Sequence, residues 1–163
     1  MMVILGIDPG VAHTGYGVVL ARGQRLVALD GGVITTGGDV RLEQRLARIH
    51  ARVRDLIVTH RPGALAVEDL FFGQNVRTAF AVGQARGAVL LAAGLQGVPC
   101  SAYTPQAVKQ AVCGSGGAAK DQVQRMVATV LSLSEVPHPD HAADALAVAI
   151  CHANGHELRE VIA

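Results

Sequence analysis

The run Val3-Ile4-Leu5-Gly6-Ile7 proceeds without a polar interruption straight into Asp8-Pro9-Gly10. So short and uniformly apolar a stretch reads as a strand buried on both faces, and Pro9 with Gly10 stops it in a turn. A sheet built around such a strand needs a covering layer on each side. The same run ends on a lone carboxylate, Asp8, and a second run, Ala64-Leu65-Ala66-Val67, ends likewise on Glu68. A third group of titratable residues, Asp140-His141-Ala142-Ala143-Asp144, follows near the C-terminus.

Between these landmarks the pattern alternates in kind. Residues 15–20, 26–30 and 32–35 are short β-rich runs separated by glycine-containing turns, which predicts an antiparallel meander built on the first strand. From Arg41 to His60, Leu42, Leu46, Ile49, Val53, Leu56 and Ile57 recur at helical spacing with arginines opposite, and Pro62 closes the helix. Asn75 is placed to cap a second long helix through Ala79, Val82, Ala85, Val89 and Leu90. Val98 to Tyr103 is β-like, and Thr104-Pro105 reads as an N-cap with proline at the first helical position, opening a helix to about Cys113. Further helices are expected over residues 119–133 and from about His141 onward. The expected fold class is therefore α/β, a mixed sheet covered by helices, in one domain spanning residues 1–163.

Charge narrows the function classes. Fourteen Lys and Arg against 13 Asp and Glu give a net charge of +1. Any nucleic-acid surface must then be local, and a purely electrostatic binder is disfavoured. Cys100, Cys113 and Cys151 are odd in number, lack CxxC spacing and sit among apolar or small residues, which predicts buried thiols in a reducing cytoplasm. The N-terminus shows no signal-peptide pattern, and the apolar stretches are expected to fall short of the roughly 18 residues that span a bilayer.

Carboxylates at the ends of buried strands, joined by acids on a late helix, suit a divalent cation site acting on a phosphodiester. Mg²⁺ keeps several waters and needs only one or two carboxylates beside substrate phosphate oxygens, and two ions about 4 Å apart activate water and stabilise the leaving oxygen. The alternative is that each acid is a turn or helix-start residue. On a helix Asp144 shares a face with either His141 or Asp140, not equally with both.

Gly6-Ile7-Asp8-Pro9-Gly10 with Thr14-Gly15-Tyr16-Gly17, then Glu68, then Gly83-Gln84-Ala85-Arg86-Gly87, then Ala142-Ala143-Asp144-Ala145-Leu146-Ala147, closely resembles the RuvC family of bacterial Holliday-junction resolvases, in the family's order and over nearly the whole chain. The resemblance implies a ribonuclease H-like five-stranded sheet with helices on both faces, and a homodimer that nicks opposed strands of a four-way DNA junction, leaving 5′-phosphates. It also implies a branch-migration motor as partner and Mg²⁺ as cofactor, two ions per site. By the family pattern Asp8, Glu68 and Asp144 fall on catalytic, metal-binding acids. The usual Asp-Ala-Ala-Asp stands here as His141-Ala142-Ala143-Asp144. The resemblance thus implies His141 as the fourth ligand, with Asp140 as the other candidate, and because imidazole suits Mn²⁺ better than Mg²⁺, Mn²⁺ is expected as a substitute ion.

Lys109 and Lys120 are the two lysines of the chain and flank the loop at residues 114–117; the resemblance aligns both with basic residues that contact DNA. Phe71 and Phe72, just beyond Glu68, are candidates to stack on bases opened at a junction, with Phe71 favoured by the resemblance. Gln74, Asn75 and Arg77 continue that segment as candidate sugar-phosphate contacts, against helix capping and ordinary surface. His13 reads as a loop polar group, Tyr16 as packing and Tyr103 as a cap on its strand. His138, His152 and His156 do not converge with His141 at helical offsets, so a zinc site is rejected. A dimer surface is expected on the helix bearing Ala79, Val82, Gly83 and Arg86, with internal packing as the alternative. Two rivals remain: an actin-like ATP-binding domain, suggested by Gly-Ile-Asp-Pro-Gly followed by Thr-Gly but too short here for two such domains, and a non-catalytic junction binder.

Overall fold

A computed structural model describes residues 1–69 and 75–162, with side chains placed through residue 155. Strands β1 (Met2–Asp8), β2 (His13–Arg22) and β3 (Arg25–Thr35) form the expected meander. Helix α1 (Leu42–His60) then leads to β4 (Ala64–Glu68), and α2 (Val76–Leu95) to β5 (Cys100–Tyr103). Helices α3 (Pro105–Cys113), α4 (Lys120–Val130) and α5 (Asp140–Ile162) complete the order. The sheet runs β3-β2-β1-β4-β5, with β1 antiparallel to β2 and parallel to β4. The helical connections are what permit the parallel pairs, because parallel neighbours cannot be joined by a tight turn.

Central placement explains the first apolar run. Side chains alternate along a strand, so Leu5 and Ile7 face one layer while Ile4 faces the other, and all three are fully buried. On one face Leu5, Ile7, Leu65 and Val67 pack with Ile49, Val53 and Leu56 of α1 and Ala85 and Val89 of α2. On the other, Ile4, Val19 and Ala66 pack with Val108 of α3, Val127 of α4 and Leu146, Ala149 and Ile150 of α5. Helices thus cover both faces, as expected. Local capping also follows the sequence: Asn75 Oδ1 accepts from the N–H of Arg77, and Thr104 Oγ1 accepts from that of Ala107.

The layer formed by α5 lies unusually close to the sheet. A Cβ on Gly6 would overlap the carbonyl oxygen of Ala145, and one on Gly15 would overlap that of His141. Glycine at these two strand positions lets the helix backbone rest on the strand backbone, which brings the first turn of α5 to the ends of β1 and β4.

Residues 26–30 and 32–35 are not separate strands but parts of β3, because Gly31 and Gly32 pair directly with Gly17 and Tyr16 and continue the ladder. Of the three thiols, Cys151 is buried, Cys113 half-buried and Cys100 exposed, since Cys100 begins the edge strand β5. Helix α2, at 20 residues and a mean hydropathy of 1.3, is long and apolar enough to cross a membrane, contrary to the expectation that apolar stretches fall short. In the fold it buries Ala85, Val89, Ala92 and Ala93 against the core.

Gly15→Ala should force α5 off the strands. We expect a loss on the order of 1–3 kcal/mol, the range for overpacking with backbone shifts, read as a lower midpoint in urea unfolding. Gly38→Ala, where an added Cβ meets nothing within 4 Å, should leave the midpoint unchanged.

Candidate functional site

The parallel register pairs Ile7 with Val67, so the next residues, Asp8 and Glu68, emerge side by side where the two central strands end. They meet at mid-sheet rather than at a lateral edge. The first turn of α5 closes over this point. His141 Nδ1 lies 3.3 Å from Asp8 Oδ2, and donor atoms of Asp8, His141 and Asp144 all fall within 4.8 Å of one another. Glu68, the neighbour of Asp8 across the paired strands, lines the same cleft wall as Asp144. Four residues from three distant parts of the chain therefore converge.

Asp140 faces a different way. Its Oδ2 lies 3.8 Å from Lys120 Nζ, and the same ammonium stands 3.7 Å from Asp144 Oδ2. The helix offset sorts the pair: Asp144 shares the strand-end cluster with His141, and shares Lys120 with Asp140.

Concentrated like charge marks the cluster. Burial, reinforced by the charge and hydrogen bond of Asp8 and by the charge of Asp144, pushes the Glu68 carboxyl up to about 8, while Lys120 opposes the shift. Burial also raises Asp144, with Asp8 adding to the effect and Lys120 and His141 countering it. Three carboxylates with one ammonium close by form a donor set suited to a divalent cation, which would relieve this repulsion. The three oxygens favour a hard ion and the imidazole widens the choice toward Mn²⁺.

Two clefts flank the cluster. One, of about 250 Å³, is lined by Glu68, Asp144, Pro105, Val123, Lys109 and Lys120. The other, of about 610 Å³, has Asp8 and His141 in its wall together with His13, Arg45, Arg77 and Thr78. His13 stacks on His141 at 5.4 Å between ring centroids, 23° from parallel. Reading it as an ordinary loop group missed this, because the contact spans the whole chain.

Lys109, Lys120 and Arg77 line the clefts, and Asn75 caps α2. Phe71, Phe72 and Gln74 lie outside the described residues. Tyr16 is buried packing. The Tyr103 hydroxyl lies 2.7 Å from His152 Nδ1, which engages that imidazole away from the cluster. Arg45 was not singled out by the sequence, where it is one more arginine on the polar side of a helix.

Sheet order, helices on both faces and acids at the ends of two adjacent parallel strands define an α/β fold of the ribonuclease H-like class. Its particular family follows from comparison. The pattern of crossover junction endodeoxyribonuclease RuvC matches residues 4–152, and the chain belongs to that family. It is 55% identical over 153 residues to the RuvC of Moorella thermoacetica, covering 94% of this chain and 92% of the relative. The structure of Thermus thermophilus RuvC in complex with Holliday junction substrate superposes with a TM-score of 0.94 at 46% identity, covering 98% of this chain and 97% of that one. The yeast mitochondrial resolvase Ydc2 shares the fold alone, with a TM-score of 0.65 at 12% identity over 96% of this chain and 82% of its own.

The raised Glu68 pKa has a stability consequence with a definite sign. A carboxyl that holds its proton more tightly folded than unfolded contributes stability fully present below its ordinary value of 4.5 and lost as pH rises through about 8. The metal-free protein should therefore melt at progressively lower temperature from pH 5 to pH 9. Glu68→Gln should flatten this profile and raise the melting temperature at pH 9 by roughly 3 °C or more, followed by circular dichroism.

Proposed function

We propose that this protein resolves four-way DNA junctions by paired, metal-dependent nicks, with Asp8, Glu68, Asp144 and His141 as its catalytic and metal-binding residues. The observation that carries the reading is the convergence of these four side chains between two cation-lined clefts in a RuvC-family fold. The family membership argues against the actin-like ATP-binding reading, and the acid cluster argues against a non-catalytic binder.

RuvC-family nucleases depend on divalent metal, and we assign Mg²⁺, two ions per site, with Mn²⁺ as a substitute. Held by Asp8, Glu68, Asp144 and His141, such ions would activate water for in-line attack and stabilise the leaving oxygen. The chain supplies the rest. Asp8 and Glu68 hold fixed positions because their strands are hydrogen-bonded neighbours. His141 is oriented by Asp8 on one side and the His13 ring on the other. Lys120, close to Asp144, and Lys109 in the same cleft offset the charge of the approaching phosphodiester. Phe71 and Phe72 stack on unpaired bases, and Gln74, Asn75 and Arg77 contact the backbone. The products carry 5′-phosphates.

Symmetric nicking needs two matched sites, which a two-fold dimer supplies. The half-buried Ala79, Val82 and Arg86 are not the most exposed face of α2. Val76, Phe80, Leu91 and Leu95 are 83%, 69%, 57% and 68% exposed and recur at helical spacing with Gly87 and Gly94, forming an outward apolar stripe that a second copy would cover. We place the protein in the cytoplasm, consistent with three free cysteines, acting as one nuclease domain over residues 1–163 beside a branch-migration motor.

Asp8→Asn and Glu68→Gln should each lower nicking of a synthetic four-way junction in Mg²⁺ by roughly 10³-fold, several kcal/mol of transition-state stabilisation, while junction binding in EDTA persists. His141→Ala should lose activity far more than Asp140→Ala, and the wild type should work relatively well in Mn²⁺; a dead Asp140→Ala beside a fully active His141→Ala would reverse the assignment. The double variant Phe80→Glu, Leu91→Glu should sediment as a monomer at concentrations where the wild type is a dimer.

A further inference from the structure

We propose that the cleft on the α1 side of the acid cluster is a second backbone-phosphate subsite, in which Arg45 together with Arg77 holds a DNA phosphate flanking the scissile one. This deepens the junction-resolving reading above and rests on it.

The cluster divides the two clefts unequally. Glu68 and Asp144 face the cleft with the two lysines, whereas Asp8 and His141 face the cleft with the two arginines. A polyanionic strand laid across the acids therefore meets a pair of cations on either side, and leaves the metal ligands directly into the arginine cleft. Lysine cations against the reacting group and arginine forks beyond it match what the two side chains do best: a compact point charge in one case, planar recognition of phosphate in the other.

Arg45 is built for such a contact. Its Nε donates to Thr36 Oγ1 at 2.9 Å and its Nη2 to the Thr36 carbonyl at 3.2 Å. Thr36 is itself buried, 3% exposed, donating its hydroxyl to the Val11 carbonyl and its N–H to that of Ala12. The guanidinium is thus fixed to the loop that follows Asp8, and its orientation is settled before any ligand arrives. Among the described residues no carboxylate pairs with Arg45 or Arg77, whereas Arg41, Arg54, Arg86 and Arg125 each stand beside one. A half-buried, pre-oriented and unneutralised guanidinium in the wall shared with Asp8 calls for an anion from outside the chain. The phosphodiester of the strand being cut is the anion the site already handles.

The test measures binding of a labelled four-way junction in EDTA across a salt series, with wild-type nicking in Mg²⁺ as the control on the underlying reading. Arg45→Gln and Arg77→Gln should each lower the slope of log affinity against log salt by about one, and the double variant by about two, while Arg54→Gln leaves it unchanged. Replacing single phosphates beside the cut with neutral methylphosphonate should weaken wild-type binding at one position, by about tenfold, and should not weaken the double variant further. If Arg45→Gln folds poorly, Arg77→Gln and the methylphosphonate scan on wild type decide. Wild-type slopes for the folded variants, or additive effects of protein and phosphate changes, overturn the subsite while leaving the resolvase reading intact. A wild type that neither binds nor nicks the junction overturns both.

Discussion

The contact on which everything else rests is the seating of α5 directly on the backbones of β1 and β2. Gly6 and Gly15 leave no side chain between helix and strand, and the carbonyls of Ala145 and His141 occupy that space. Interiors are packed to near-crystalline density, so this interface has no slack to take up an extra methyl group. Its functional effect is geometric. A helix one side-chain layer farther away would carry His141 and Asp144 out of reach of Asp8, and the cluster would become two unrelated pairs.

Packing of this kind works against electrostatics. Fold and core bring Asp8, Glu68 and Asp144 together, and burial reinforced by their mutual repulsion raises the carboxyls of Glu68 and Asp144. Such a site opposes the stability of the empty protein and favours binding of cations, which is the usual direction of the compromise at functional centres. Lys120 moderates it, lying close to both Asp140 and Asp144. The surrounding structure is accordingly over-determined: Thr14, fully buried, ties its hydroxyl to the Gly10 carbonyl, and Thr36 ties the same loop through Val11 and Ala12.

Much of the architecture was legible in the chain because its signals are local. Continuous apolar runs marked β1 and β4, helical periodicity marked α1, and Asn75 and Thr104 marked helix starts that the backbone uses. What misled was also local: glycines at 31 and 32 look like a turn, but glycine inside a ladder is equally a place where a neighbour comes close, here the ring of Tyr16. Apolar and small neighbours likewise suggested three buried thiols, although burial of Cys100 depends on whether its strand lies at the centre or the edge of the sheet, which no window of sequence contains.

The amino-acid sequence by itself determined the strand that must be buried on both faces, the layered α/β class, the three acids and the family motif around them, since each depends on residues near one another in the chain. Only the tertiary structure decided that His141 rather than Asp140 turns toward Asp8, that His13 stacks on it, and that Arg45 stands unneutralised in the adjoining cleft. Those relations join residues separated by up to 133 positions, and they are set by helix rotation and strand register, quantities fixed by how the layers pack and not by any single segment.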